Sequence, residues 1–256
     1  MSELTLERQI AVRKLQEKKW FASTDEKIRQ ELLDLPPEFD GYLKDLGERP
    51  ENIGLIEVRK LLKLLRGNYM VISIFEVMAT NTKQVFTYEY VSWRHGKLGG
   101  YKGVILIEID GIIKYFLVKR GEKFPTAGVA YDAIGTNQFN PQAQVQFSLQ
   151  ANIENQIKKI LEVDELPRSR FVDLGLLTPD PSMTNNHVGL FSMVLTGKSK
   201  EVIEKNITNK EHSFLPVGYH IEIHPIEELA HFISKCDDAF FLACFSRMLA
   251  LGLISI

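Results

Sequence analysis

Gly103-Val-Ile-Leu-Ile-Glu-Ile-Asp-Gly-Ile-Ile-Lys-Tyr-Phe-Leu-Val-Lys-Arg120 is the stretch that decides the fold class. Its two β-branched runs, Gly103–Ile109 and Ile112–Val118, are separated by Asp110-Gly111, a dipeptide that supplies the positive φ angles of a tight turn. The spacing predicts a β-hairpin. Upstream, Tyr69–Met78 is β-rich, and Phe86, Tyr88 and Tyr90 alternate against Thr87 and Glu89, so strands continue back to about Gly67.

Before Gly67 the apolar period becomes helical. Leu4–Lys18 is amphipathic, Ser23-Thr24-Asp25-Glu26 offers a cap ahead of Ile28, Leu32 and Leu33, and Ile56–Leu65 carries an apolar face. We therefore expect residues 1–67 to form a helical N-terminal extension and residues 68–256 to form an α+β domain. Downstream of the hairpin, Gln144, Gln146, Ser148 and Gln150 alternate with Val145, Phe147 and Leu149, the pattern of a strand with one polar face. Ile153, Ile157, Ile160 and Leu161 predict a helix over Asn152–Val163. Strands at Phe171–Leu177 and Val188–Leu195 flank a polar loop, Thr178–His187. Gly197–Ser213 reads as an exposed loop, Tyr219–His224 as a last strand, and Ile226–Ile233 and Ala239–Leu253 as closing helices.

Composition bounds the function. The 256 residues are 45% hydrophobic and 25% charged, enough to build a core, and 31 basic against 33 acidic residues leave no global field for nucleic acid or an anionic membrane. Charges interrupt every apolar run well short of the roughly 20 residues a membrane span needs. The two cysteines, Cys236 and Cys244, sit in an apolar segment and suit buried thiols in a reducing compartment, so we expect a cytoplasmic location.

The order of these pieces resembles the Nudix superfamily. A hairpin ending in Phe116-Leu-Val-Lys-Arg120 is followed by a connecting segment, a helix, a Leu-Gly strand, a proline-containing loop and a strand. Ile221-Glu-Ile-His-Pro-Ile-Glu-Glu-Leu229 is similar to the strand and helix entry at the end of that fold. The resemblance spans Trp93–Ile254 and implies a Nudix-like mixed β-sheet flanked by helices.

The family's catalytic helix bears Arg-Glu-apolar-x-Glu-Glu, because carboxylates at i, i+3 and i+4 share a face and hold magnesium against a diphosphate. Lys158-Lys159 stands where the Arg-Glu pair is expected and Glu162-Val163 where the paired Glu is expected. Phe124-Pro-Thr-Ala-Gly128 is similar to the glycine turn that precedes this helix, with different spacing. The resemblance thus implies a degenerate motif with no metal among its residues and no cofactor. Magnesium would enter only if the chain were a divergent hydrolase.

What the resemblance leaves is a cleft for a nucleotide-containing small molecule. Its candidate ligand-binding residues are Trp93 to stack on a base, Arg94, Lys119 and Arg120 for a diphosphate, and Gln144, Gln146, Asp180, Asn186 and His187 for sugar or base edges. The first expectation is a non-hydrolytic binding or regulatory module whose helical extension contributes to homodimerisation or to a partner surface. The alternative is an enzyme acting on a nucleotide-diphosphate compound, since Val91–Val118 is also similar to one repeat of the nucleotide-diphosphate-hexose 2,3-dehydratases. Asp132, Asp180 and His187 are then its candidate acids and bases. His220, Glu222 and His224 alternate on one strand face and read as a solvent-facing edge.

Overall fold

The computed structural model describes residues 5–123, 127–136, 149–166, 169–196, 199–207 and 219–254. The chain forms two compact units. Unit 1 comprises Met1–Gly99 and Thr178–His187, and unit 2 comprises Gly100–Leu177 and Val188–Ile256.

In unit 1, the helices α1 (Leu6–Gln16), α2 (Lys19–Ala22), α3 (Glu26–Leu33) and α4 (Asp40–Glu48) precede an antiparallel meander. Its strands are β1 (Asn52–Ile53), β2 (Ile56–Arg66), β3 (Met70–Ala79) and β4 (Val85–Trp93), in spatial order β1-β2-β3-β4. The cap signal before Ile28 is used as expected, with Asp25 accepting from the Lys27 amide at 2.9 Å. Leu15, Trp20, Leu32, Tyr42, Leu43 and Leu46 from the helices bury against Leu61, Val71, Phe75, Val77 and Tyr90 from the sheet. Arg8, 5% exposed, is held in this layer because its guanidinium donates to Asp40 and to the carbonyls of Leu33 and Leu35. The segment Thr178–His187 completes the unit: Val91 N donates to Met183 O at 2.9 Å, and Val91 bridges Thr184 in parallel.

The helix expected over Ile56–Leu65 is strand β2, and helical structure in this region ends at Glu48. Nor do the compact units divide near Gly67. Two register shifts against β3, between Val58 and Lys60 and between Leu61 and Lys63, each insert one residue. The core-facing positions consequently fall at Ile56, Val58, Leu61 and Leu64. The last two steps are three residues each, which imitates a helical face in the sequence.

In unit 2 a seven-stranded sheet is built from β5 (Leu98–Ile109), β6 (Ile112–Lys123), β7 (Gly128–Asp132), β8 (Ile134–Thr136), β9 (Ser169–Leu177), β10 (His187–Thr196) and β11 (His220–Pro225). The spatial order is β11-β6-β5-β10-β9, with β7 on β6 and β8 on β5. Asp110 and Gly111, at φ 53° and 78°, make the hairpin turn between Ile109 and Ile112 as the sequence predicts. Alternation divides the sheet between two cores. Val104, Leu106, Phe116 and Val118 meet Phe241, Cys244 and Phe245 of α8 (Ala239–Ala250). Ile105, Ile107 and Leu117 meet Ile153, Ile157, Ile160 and Leu161 of α5 (Leu149–Leu161) and Ile203 of α6 (Ser199–Ile207).

Helix α5 confirms the expected apolar face but begins earlier than predicted. Leu149 and Gln150, assigned above to a strand, form its first turn, and Gln150 donates to Glu154 at 2.8 Å. Gln144, Gln146 and Ser148 lie outside the described residues. Part of the loop expected over Gly197–Ser213 is helix α6, anchored by Ile203, 1% exposed, while the neighbouring Val202 is exposed. The closing segment Ile226–Glu228 is a 3-10 turn leading into α7 (Leu229–Ile233). Both cysteines are buried free thiols, and burial pushes Cys236 to about 11 and Cys244 to about 12. Among the described residues no helix is long and apolar enough to cross a membrane.

Ile157 is 1% exposed at the centre of the α5 contact. Ile157→Ala should therefore lower unfolding free energy by about 2–5 kcal/mol, measured by urea denaturation followed at unit 2. A loss under about 0.5 kcal/mol would show that α5 does not pack through this face.

Candidate functional site

Strands β5 and β6 pair from the turn back to Ile105 and Leu117, and there they part. Beyond that point Tyr101–Gly103 of β5 pair with β8, and Lys119–Lys123 of β6 pair with β7. The sheet is split, and the chain from Gly128 to Thr136 fills the gap. Polar groups gather at this split beside Ala133 and Ile134, which carry the two apolar cores into it.

Lys119 stands directly opposite Asp132 in the β6–β7 ladder, with Nζ 3.2 Å from Oδ2. Lys123, two pleats further along the same face, ion-pairs with the same oxygen. Between them Gly121 leaves space for the Tyr219 ring, since a Cβ there would come within 2.2 Å of a ring carbon. The two ammonium groups lie 5.1 and 5.4 Å from the centroid of that ring. On the other side of Asp132, Asp238 accepts from the Phe240 and Phe241 amides as N-cap of α8, and from the Ala133 amide at 3.2 Å. Lys102 of β5 completes the cluster by charge.

Three lysines and two aspartates thus share one partly dry place, and their protonation responds. Burial pushes the Lys102 amine down to about 8, and neighbouring Lys119 acts in the same direction. Burial works to raise the Asp132 carboxyl, but the hydrogen bond and charge of Lys123 and the charge of Lys119 outweigh it and hold it below the usual carboxylate range. Asp238 is raised, by burial and by the Asp132 carboxylate beside it. Such a set can bind an anion through Lys119 and Lys123, and it can exchange a proton through Lys102 or Asp238.

Arg120 points to the opposite face of β6 and lies 3.6 Å from Glu222. Glu222 is also 3.1 Å from His220 and 3.0 Å from His224, so the alternating face of β11 is a hydrogen-bonded ladder. No group of three or more His, Cys, Asp or Glu among the described residues is arranged to hold a metal.

Trp93, Arg94, Asp180, Asn186 and His187 belong to unit 1, whereas Lys119 and Arg120 belong to unit 2. Gln144 and Gln146 lie outside the described residues. Within unit 1, Asn186 is 2% exposed, accepts from the Trp93 amide at 3.0 Å and donates to Gly96 O at 2.8 Å, so its amide ties the Thr178–His187 segment to the end of β4. Asp180 caps the same segment through the Ser182 amide and hydroxyl, which hold its carboxyl low. His187 Nδ1 is 2.7 Å from the Thr178 hydroxyl. Arg94 donates to His95 and to Asn68 O, with its guanidinium 5.2 Å from the Tyr69 ring centre.

The helix corresponding to the degenerate motif has a definite ending. Val163 N donates to Lys158 O at 3.0 Å and Glu162 N to Lys159 O at 3.3 Å, with Glu162 at φ 53°. This is a Schellman ending with Glu162 at the left-handed C′ position, and Asn206 donates to its carbonyl at 2.7 Å. Glu162 is therefore off the helix and cannot share a helical face with a residue at 159 or 163.

A solved structure described as an ADP compounds hydrolase, a Nudix enzyme, superposes on this chain with a TM-score of 0.53 and 10% identity. The match covers 80% of this chain and 100% of that one. The fold is Nudix-like. No family model matches the chain, and no curated protein matches it.

Sequence reasoning found Lys119 and Asp132 but not Lys102, Lys123, Tyr219 or Asp238. A Lys-x-Gly-x-Lys spacing on one strand face was the available signal for Lys123, and Asp238 before an apolar helix is a cap signal.

Because the amine of Lys102 sits at about 8 rather than its ordinary 10.5, the unfolded chain binds more protons between those values and stability rises with pH across that window. Below about pH 8 the full penalty of the buried charge is present. Lys102→Met should consequently be more stable than the parent at pH 7, and the gap should narrow as pH approaches 10. Urea midpoints at pH 7, 8.5 and 10 check this, and a constant gap would refute the shifted amine. The cysteine thiols titrate identically in both proteins and cancel.

Proposed function

We propose that unit 2 is a binding module for a nucleoside-diphosphate compound, including nucleotide sugars, that does not hydrolyse it through the Nudix magnesium helix. The observation that carries the proposal is the Schellman ending of α5, which removes Glu162 from the helix, with Lys158 and Lys159 in the last turn. A magnesium cage needs several anionic oxygens on one surface, and two lysines there would repel the ion. Lys119 and Lys123 take the diphosphate, with the Tyr219 ring beside them as an apolar and cation-holding wall. Arg120 supports the same strand from its other face. The Nudix-like fold supports a nucleotide ligand by analogy, and the lysine pair supplies the chemistry. The homodimeric state and the cytoplasmic location expected from the sequence remain parts of this proposal.

A second reading rests on Lys102 and Asp238. Groups with displaced pKa values beside an anion site suit proton transfer, so the same cleft can serve an enzyme that acts on a nucleotide-diphosphate compound without a metal.

Calorimetric titration with ADP-ribose and with a nucleotide sugar, each with and without magnesium, separates these readings. Lys119→Ala should weaken binding by about 1.5–3 kcal/mol through loss of a charge-assisted contact. Glu162→Gly removes the carboxylate and relieves the positive φ, so it should leave affinity within about twofold and raise stability by about 0.5–1 kcal/mol. Magnesium-dependent hydrolysis that Glu162→Gly abolishes would refute the binding-module reading. Metal-independent turnover lost in Lys102→Met would select the second.

A further inference from the structure

We infer that unit 1 carries a second small-molecule site, an aromatic pocket that takes a planar organic anion of one or two rings. The pocket, of about 180 Å³, is lined by Trp20, Phe75, Tyr88 and Tyr90, with Arg49 at its polar end. All its lining residues lie in unit 1, so it is independent of the lysine cluster.

Size and chemistry narrow the ligand. A dry cavity of roughly 150 Å³ is enough to admit benzene, so this one accommodates a substituted single ring or an indole-sized bicycle. Trp20 and Phe75 meet edge to face at 5.4 Å between centroids and are buried, at 3% and 5% exposed, so the ring of the wall most open to a ligand is the half-buried Tyr88. The wall is fixed from behind, because Tyr88 donates to Ser182 O at 2.5 Å and Tyr90 hydrogen-bonds to Asp45 at 2.5 Å. A pocket whose aromatic side chains are tethered through their hydroxyls does not collapse when empty.

The sign of the ligand follows from Arg49. Its guanidinium carbon sits 4.2 Å from the Tyr90 ring centre, and among the described residues no carboxylate pairs with it. The nearby anion, Asp45, is 4% exposed and turned to other partners: Oδ2 accepts from Tyr90 and from Asn185 at 2.8 Å, and Oδ1, which accepts no hydrogen bond, lies 3.3 Å from Lys97. Every other lining residue is apolar or a tyrosine whose hydroxyl is used. A carboxylate on the ligand would be the one anion to meet Arg49, where planar bidentate pairing is available.

Indole-3-acetate and its uncharged amide, titrated calorimetrically into the full chain, test the site. The acid should bind at least about tenfold more tightly than the amide, the difference expected for one charge-assisted contact. That preference should vanish in Arg49→Gln and persist in Lys119→Ala. Equal binding of acid and amide, or no saturable binding of the acid, would overturn the inference. So would a preference that survives Arg49→Gln, or one lost in Lys119→Ala, which would place the acid on unit 2. Because the acid-to-amide comparison is made on the unmodified chain, it decides the matter even if Arg49→Gln fails to fold.

Discussion

An ammonium group taken out of water costs several kcal/mol unless an anion meets it, and a second ammonium beside it raises that cost. In unit 2 the anion is Asp132. It faces Lys119 across the β6–β7 ladder and reaches Lys123 as well, so one carboxylate permits two cations at the place where β5 and β6 part. The rest of the arrangement depends on this pairing. The strand that carries Asp132 is the one that fills the split, Tyr219 covers the lysines where Gly121 gives it space, and Asp238 is pushed toward its neutral form by burial and by the Asp132 charge beside it. The cluster retains more cationic than anionic groups, which is why an anionic ligand suits it.

The fold was legible where a single local rule governed. Asp110-Gly111 dictated a turn by its φ angles alone, and the α5 face was written at positions 153, 157, 160 and 161 because one helix stripe meets one core. It was illegible where tertiary pairing altered the period. The two extra residues in β2 exist to keep register with β3, and nothing local distinguishes their spacing from a helix. Helix α6 was hidden for another reason: its sequence is mostly polar, and Ile203 is the one buried side chain among those described in it. The site divides likewise. Lys119 was marked by its place at the end of the hairpin and Asp132 as a candidate acid or base of the enzyme alternative, whereas Asp238 becomes part of the cluster only through the packing of α8 against the sheet.

A Nudix-like sheet does not commit the chain to Nudix chemistry, because the catalytic groups of that family belong to a helix end and not to the sheet. Here that helix end is an αL cap. Its polar atoms are occupied by local hydrogen bonds, including the Asn206 amide on Glu162 O, which anchors α6 to the end of α5.

The contribution of Thr178–His187 to unit 1 has a consequence for biosynthesis. Unit 1 is discontinuous in the chain, and its last piece, which hydrogen-bonds to Val91, Trp93 and Tyr88, is made only after much of unit 2. On the ribosome, where domains otherwise fold as they emerge, β4 must wait with these partners unmet while the hairpin and α5 are synthesised. Until residue 187 emerges, the nascent chain exposes an incomplete strand and part of an aromatic wall.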